Sequence, residues 1–214
     1  MKNTVFPLLA GLTLEGCAPE QIDSGTKSCD NPLSVVVRGT ENQISLCMPN
    51  GWKGTVQDVG ADVSPFLTSA YFANFNVDPL LALQEGESIG NLYSYDTSTY
   101  SPLGETKLEE GLQKQHDLDA QTLAVSPVFT TTLNGRYDAW GYVAQNESWE
   151  TQGYAFPGNT VVNLYADFPE LNIQANLTGG VGGEPDEAAL SVESNNWPEA
   201  LQEYWQAVQT LTAE

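Results

Sequence analysis

From Leu33 onward the chain alternates apolar and polar residues in short runs separated by turn residues. That period of two belongs to half-buried β-strands. Leu33–Val37 and Gln43–Met48 flank "RGTEN" and predict a first hairpin, with Ile44 and Leu46 on one face and Gln43 and Ser45 on the other. Pro49-Asn50-Gly51 reads as a turn, and Thr55–Val59 starts the next strand. Thr68–Phe75 and Ser88–Tyr95 are rich in aromatic and β-branched residues and predict further strands. Phe129–Leu133 and Arg136–Gln145 flank Asn134-Gly135, whose two residues tolerate the positive φ that a tight hairpin turn requires. "TVVNLYADF" and "LNIQANLT", on either side of Pro169-Glu170, predict a last hairpin.

Two segments have a helical period instead. Thr106–Leu118 begins with a capping-box pattern at Thr106 and Glu109, and Leu108 and Leu112 share one face. Near the C-terminus, Trp197, Leu201, Tyr204, Trp205, Val208 and Leu211 form a stripe, after Asn196 as a cap and Pro198 in the first turn. The order of elements predicts an α+β fold, an antiparallel β-sheet flanked by two helices. Residues 33–214 read as a single domain with no internal repeat.

Charge changes the picture of what this domain meets. Seven Lys and Arg stand against 28 Asp and Glu, a net charge of −21. Such a surface repels phosphate backbones and anionic headgroups, so neither nucleic acid nor a bare anionic membrane is an expected partner. Aromatic residues make up 10% of the chain, which argues against disorder.

The first residues follow other rules. Lys2 precedes an apolar stretch, Val5–Leu14, of about ten residues, too short to span a bilayer and suited to a secretory signal. It ends in Leu14-Glu15-Gly16-Cys17, which resembles a bacterial lipobox in Leu14, Gly16 and Cys17. The resemblance implies a lipoprotein signal peptide over residues 1–16 and a lipidated Cys17. A plain secretory signal cut nearby is the alternative. Residues 17–32 are small and polar and read as a tether. Ala18 after the cysteine favours, by analogy with enterobacterial sorting, an outer-membrane anchor facing the periplasm. With Cys17 assigned to lipid, Cys29 and Cys47 remain as an even pair in an oxidising compartment. The predicted hairpin brings them toward one end, where a disulfide contributes about 3 kcal/mol.

At "ISLCMPNGW" the chain resembles the PsbP-like superfamily, which includes DcrB-type bacterial lipoproteins. Pro49, Asn50, Gly51 and Trp52 match the Pro-x-Gly-Trp that ends the first hairpin in that group. A central helix, a glycine-containing hairpin and a C-terminal helix follow in the same order. The resemblance implies an αβα sandwich and a non-catalytic role in binding or assembly.

The residues themselves offer little chemistry. His116 is the single histidine, and no Gly-x-Ser-x-Gly elbow accompanies it. "HDLD" lacks the glycine and terminal Glu of a calcium loop, and "GGVGGE" lacks the Lys-Ser/Thr of a phosphate cradle. No catalytic residue, metal ligand or cofactor site is assigned. Carboxylate pairs such as Glu147/Glu150 and Glu109/Glu110 are expected by chance in so acidic a chain. The aromatics Trp140, Tyr142 and Trp149 are the candidate binding residues, core if a helix covers them and a platform if their face is open. The sequence therefore predicts an exported, lipid-anchored, non-enzymatic envelope protein that binds a protein partner. The alternatives are a carbohydrate- or small-ligand-binding module using those aromatics, and an acidic hydrolase.

Overall fold

The structure is a computed structural model that describes residues 29–57, 67–73, 88–101, 103, 107–151, 154–156 and 158–214. Strands β1 (Pro32–Val36) and β2 (Gln43–Cys47) pair antiparallel, with Pro32 opposite Cys47. Leu33, Val35, Ile44 and Leu46 alternate inward as their period requires. The hairpin ends where expected, because Gly51 takes φ 88° and Trp52 N donates to Pro49 O. Cys29 and Cys47 are joined in a disulfide.

A larger antiparallel sheet holds β3 (Lys53–Gln57), β4 (Leu67–Ala73), β5 (Ser88–Asp96), β6 (Ala124–Val125), β7 (Phe129–Leu133), β8 (Tyr137–Asn146), β11 (Asn159–Phe168) and β12 (Ile173–Gly182). Its order is β3-β4-β5-β12-β11-β8-β6, and β7 also pairs with β8. Strands β6 and β7 take successive stretches of the same partner, with Ala124 opposite Gln145 and Phe129 opposite Gly141. Pro127, which lacks an N–H, lies between them. There Ser126 Oγ accepts from Val143 N and covers the break in the ladder. Asn134 and Gly135 turn the β7–β8 hairpin at φ 50° and 62°. The β11–β12 hairpin turns through a 3-10 segment, Pro169–Leu171, with Asn172 left-handed. A separate pair, β9 (Trp149–Thr151) and β10 (Tyr154–Phe156), extends beyond β8.

Two α-helices are present among the described residues, α1 (Leu108–Asp119) and α2 (Glu199–Val208). Each starts one or two residues later than the sequence suggests. Pro198 is the N-cap residue of α2 and Asn196 lies in the preceding 3-10 turn, so Asn196 is not the cap. Lys107 flanks α1 without a side-chain cap, and Thr106 lies outside the described residues. The α2 stripe is otherwise as read: Trp197, Leu201, Tyr204, Val208 and Leu211 are buried, and Trp205 is half-buried.

The expected α+β arrangement, a sheet flanked by two helices in a PsbP-like αβα sandwich, is overturned. Among the described residues the chain is mostly β, with a three-stranded and an eight-stranded antiparallel sheet and two α-helices. Length explains the difference. A ten-residue helix such as α2 is about 15 Å long, whereas seven strands side by side at about 4.8 Å spacing span about 29 Å. The first hairpin therefore leaves the large sheet and packs its apolar face beside α2 in one core. The last residues complete this cover. Strand β13 (Thr212–Ala213) joins β2 to give the order β1-β2-β13, and Gln43 and Glu214 exchange backbone hydrogen bonds of 2.7 and 3.0 Å.

On the inner face two glycines admit two rings. Phe72, Gly90 and Gly179 are aligned across β4, β5 and β12. A Cβ on Gly90 would meet the Phe72 ring at 2.5 Å, and one on Gly179 would meet the Tyr204 ring at 2.4 Å. The two rings stack at 5.7 Å and 15° over this trough, closing the gap that the missing side chains leave.

Candidate ligand-binding face

The opposite face of the large sheet has different chemistry. Directly paired residues in an antiparallel sheet project to the same side. The register then defines one row as Ser69, Tyr93, Asn176, Tyr165 and Trp140, on β4, β5, β12, β11 and β8. A second row, two residues along, is Tyr71, Asn91, Thr178, Asn163 and Tyr142. A third is Leu67, Tyr95, Gln174 and Asp167. The first two rows mix rings with side-chain amides and hydroxyls, and Tyr93–Asn176–Tyr165 places an amide between two rings. Apart from Ser69 and Tyr142, the residues of those two rows are half-buried.

Helix α1 covers one side of this face. It packs on β8, β11 and β6, with Leu112, Tyr142 and Ala144 as a small buried cluster bordered by Trp140 and Tyr165. Gly111 faces Leu103, whose Cβ would lie 2.5 Å from an added methyl. Polar contacts fix the C-terminal half of the helix. Tyr142 OH donates to Asp119 Oδ2, and Gln115 Nε2 donates to Asp119 Oδ1 at 2.9 Å. His116 Nε2 lies 3.0 Å from Ser126 O, and its ring meets Tyr142 edge-on at 5.4 Å. Burial first, then the Asp119 carboxylate, pushes the Tyr142 phenol far above its ordinary range, so it stays a proton donor.

The side of the face on β12, β5 and β4 carries the polar groups. Asn176 Nδ2 donates to Leu164 O at 3.2 Å, and Thr178 Oγ1 is 3.4 Å from Asn163 Oδ1. The Tyr95 and Tyr100 rings lie 5.6 Å apart. Burial raises the phenols of Tyr95 and Tyr165, which are therefore neutral hydrogen-bonding groups at physiological pH. Ser69 differs from the others. It is 3% exposed, and its hydroxyl has no hydrogen-bond partner. A buried hydroxyl left in that state costs about 1–3 kcal/mol.

Of the residues the sequence singles out, Cys29 and Cys47 are bonded to each other, and Cys17 lies outside the described residues. Tyr142 is buried beneath α1 and belongs to the packing of the helix. Trp140 is half-buried at the rim, beside a shallow depression lined also by Arg136, Tyr137, Asp138, Asp167 and Glu170. The backbone of Trp149 lies in β9, and its side chain is outside the described residues. Tyr142 is therefore core rather than part of an open platform. Tyr71, Tyr93, Tyr95, Asn91, Asn163, Asn176 and Thr178 were not singled out by sequence reasoning. For those on β5, β11 and β12 the signal is the period of two in "NLYSYD", "NLYADF" and "QANLT", where every second residue is polar or aromatic, while Tyr71 lies in "LTSAYFA". Among the described residues no group of three or more His, Cys, Asp or Glu is placed to hold a metal. Among the same residues no helix is long and apolar enough to cross a membrane.

No family model matches the chain, and no curated protein matches it in sequence. The PsbP-like resemblance thus rests on the Pro49–Trp52 motif and the order of elements alone. Among solved structures, the chain is similar to LpqN of Mycobacterium tuberculosis, described as involved in cell envelope biogenesis. The identity is 15%, the TM-score 0.46, and the alignment covers 85% of this chain and 91% of that one. At that level the likeness carries no statement about activity.

Proposed function

We propose that this protein is an exported, lipid-anchored, non-enzymatic protein of the bacterial envelope that binds a neutral polar ligand on the tyrosine–amide face. The observation that carries the binding reading is the set of cross-strand rows, in which Tyr71, Tyr93 and Tyr95 stand opposite Asn91, Asn176 and Gln174, with Thr178 beside Asn91. The sheet positions that build the inner core, among them Phe72, Leu92, Leu164 and Leu177, are apolar instead. Export is supported by the apolar leader and by the Cys29–Cys47 disulfide, a bond that persists in oxidising compartments. Anchoring is supported by Leu14, Gly16 and Cys17.

The surface favours a ligand over the protein partner expected from sequence. Among the described residues, the exposed large apolar side chains Val36, Val56, Tyr100, Leu118 and Val192 fall on separate segments. A protein interface has a contiguous apolar centre. Fractionation of cells expressing the full chain tests the anchor, and Cys17→Ala is expected to move the protein from membranes to the soluble periplasm. Binding is tested by assigning the Tyr71, Tyr93 and Asn176 resonances and adding low-molecular-weight envelope extract. Shifts confined to other surfaces would refute the assignment of the face.

A further inference from the structure

We infer that the ligand is a neutral glycan chain lying across the strands, an inference that rests on the binding reading above. Three observations point to it. The first is the spacing of rings. In the row Ser69–Tyr93–Asn176–Tyr165–Trp140 the aromatics fall on β5, β11 and β8. Tyr93 and Tyr165 are therefore two strands apart, about 10 Å. That interval is close to the length of a disaccharide in an extended chain. An aromatic ring presents a flat apolar face to the axial C–H groups of a pyranose. The amide between them, Asn176, lies where ring hydroxyls would project.

The second is the donor and acceptor content. Asn91, Asn163, Asn176, Thr178 and Gln174 supply both kinds of group, as a polyhydroxylated ligand requires, and the neutral tyrosine phenols add more.

The third is charge. The first two rows contain no Lys, Arg, Asp or Glu between Ser69 and Trp140 or between Tyr71 and Tyr142. The chain as a whole carries −21. An anionic glycan would meet repulsion and find no cation in the rows, so the occupant is uncharged.

The experiment is calorimetric titration of the full chain, exported as Cys17→Ala to keep it soluble. The probes are β-1,4-linked hexamers of glucose and of N-acetylglucosamine, glucose itself, and an anionic galacturonate hexamer. The expected result is binding of at least one neutral hexamer, tenfold or more tighter than glucose, with no binding of the anionic hexamer. Tyr93→Ala is expected to weaken it at least tenfold, whereas Tyr93→Phe keeps the ring and retains most of the affinity. Circular dichroism checks that each variant is folded. Resonances of Tyr93 and Asn176 followed in the same titrations separate the two readings. If the neutral hexamers leave them unmoved while the galacturonate hexamer or an envelope extract shifts them, the glycan inference is overturned and the binding face stands. If a neutral hexamer binds but shifts only residues elsewhere, the face is wrong. If nothing shifts them, both are overturned.

Discussion

Along β11, Val162, Leu164, Ala166 and Phe168 are sealed from solvent, while Asn163, Tyr165 and Asp167, one residue away in each case, are half-buried. The same contrast runs through β12 and β5. On the inner side a ten-residue helix, a hairpin and the C-terminal strand complete a core. On the outer side, among the described residues, α1 packs on β8, β11 and β6. The inner face is selected for shape: glycines at 90 and 179 exist so that Phe72 and Tyr204 can lie on the backbone. The outer face is selected for hydrogen-bonding capacity and flat rings. A strand of period two can meet both demands at once because adjacent side chains never share a neighbour across the sheet.

Substitutions can break this contrast in graded steps. The largest effect is expected at Tyr204, wholly buried on Gly179. Tyr204→Ala should cost about 4 kcal/mol in urea unfolding, the range for deleting a buried aromatic. Tyr204→Phe separates shape from polarity. The hydroxyl is buried with no hydrogen-bond partner, so its removal should be neutral or slightly stabilising. Loss of stability in Tyr204→Phe would show that the inner face depends on a polar contact after all.

Next is the staple that holds the first hairpin over the inner face. Replacing Cys29 and Cys47 by Ser opens a loop with a sequence separation of 18 and should cost about 3 kcal/mol. The loss is measured against the oxidised protein without reductant. Third is the junction of α1 with the outer face. Tyr142→Phe leaves the apolar ring but removes the donor to Asp119. A cost of about 1.5 kcal/mol is expected for a hydrogen bond to a charged group. Hydrogen exchange in α1 should rise while that of β12 stays fixed.

The smallest effect concerns pH. Burial raises the Asp167 carboxyl above its ordinary value, with Asp138 adding to the shift and hydrogen bonds from Gln174 and the Phe168 backbone opposing it. The folded state then binds the proton more tightly than the unfolded chain. Its contribution to stability is full below the unfolded value, about 3.9, and is lost as pH rises through the folded one. Asp167→Asn should abolish that slope and change stability at neutral pH by less than about 0.5 kcal/mol. Thermal melts run from below the unfolded carboxylate value up to neutral pH would show the difference. An unchanged slope would assign it to other carboxylates.

Much of this was legible before any tertiary structure. The strand pairs around Asn134-Gly135 and Pro169-Glu170 formed as read, because local turn chemistry and alternation set register without distant help. The Cys29–Cys47 bond followed from the same logic, since the hairpin alone brings the two residues together. The apolar stripe of α2 was equally local. The error in fold class came from assuming that two helices suffice to cover the sheet.

The sequence by itself determined which residues of each strand share a face, because a period of two is a property of the backbone. It also determined where the hairpins turn and how acidic the surface is. Only the tertiary structure decided which strands lie side by side. That order, β4-β5-β12-β11-β8, is set by long-range packing among strands far apart in the chain. It brings Tyr71, Asn91, Thr178 and Asn163 into one row and leaves Tyr142, which shares that row, beneath a helix. A side chain's direction is local, but its neighbours and its cover are not. The candidate site therefore emerged only when the strands were laid together.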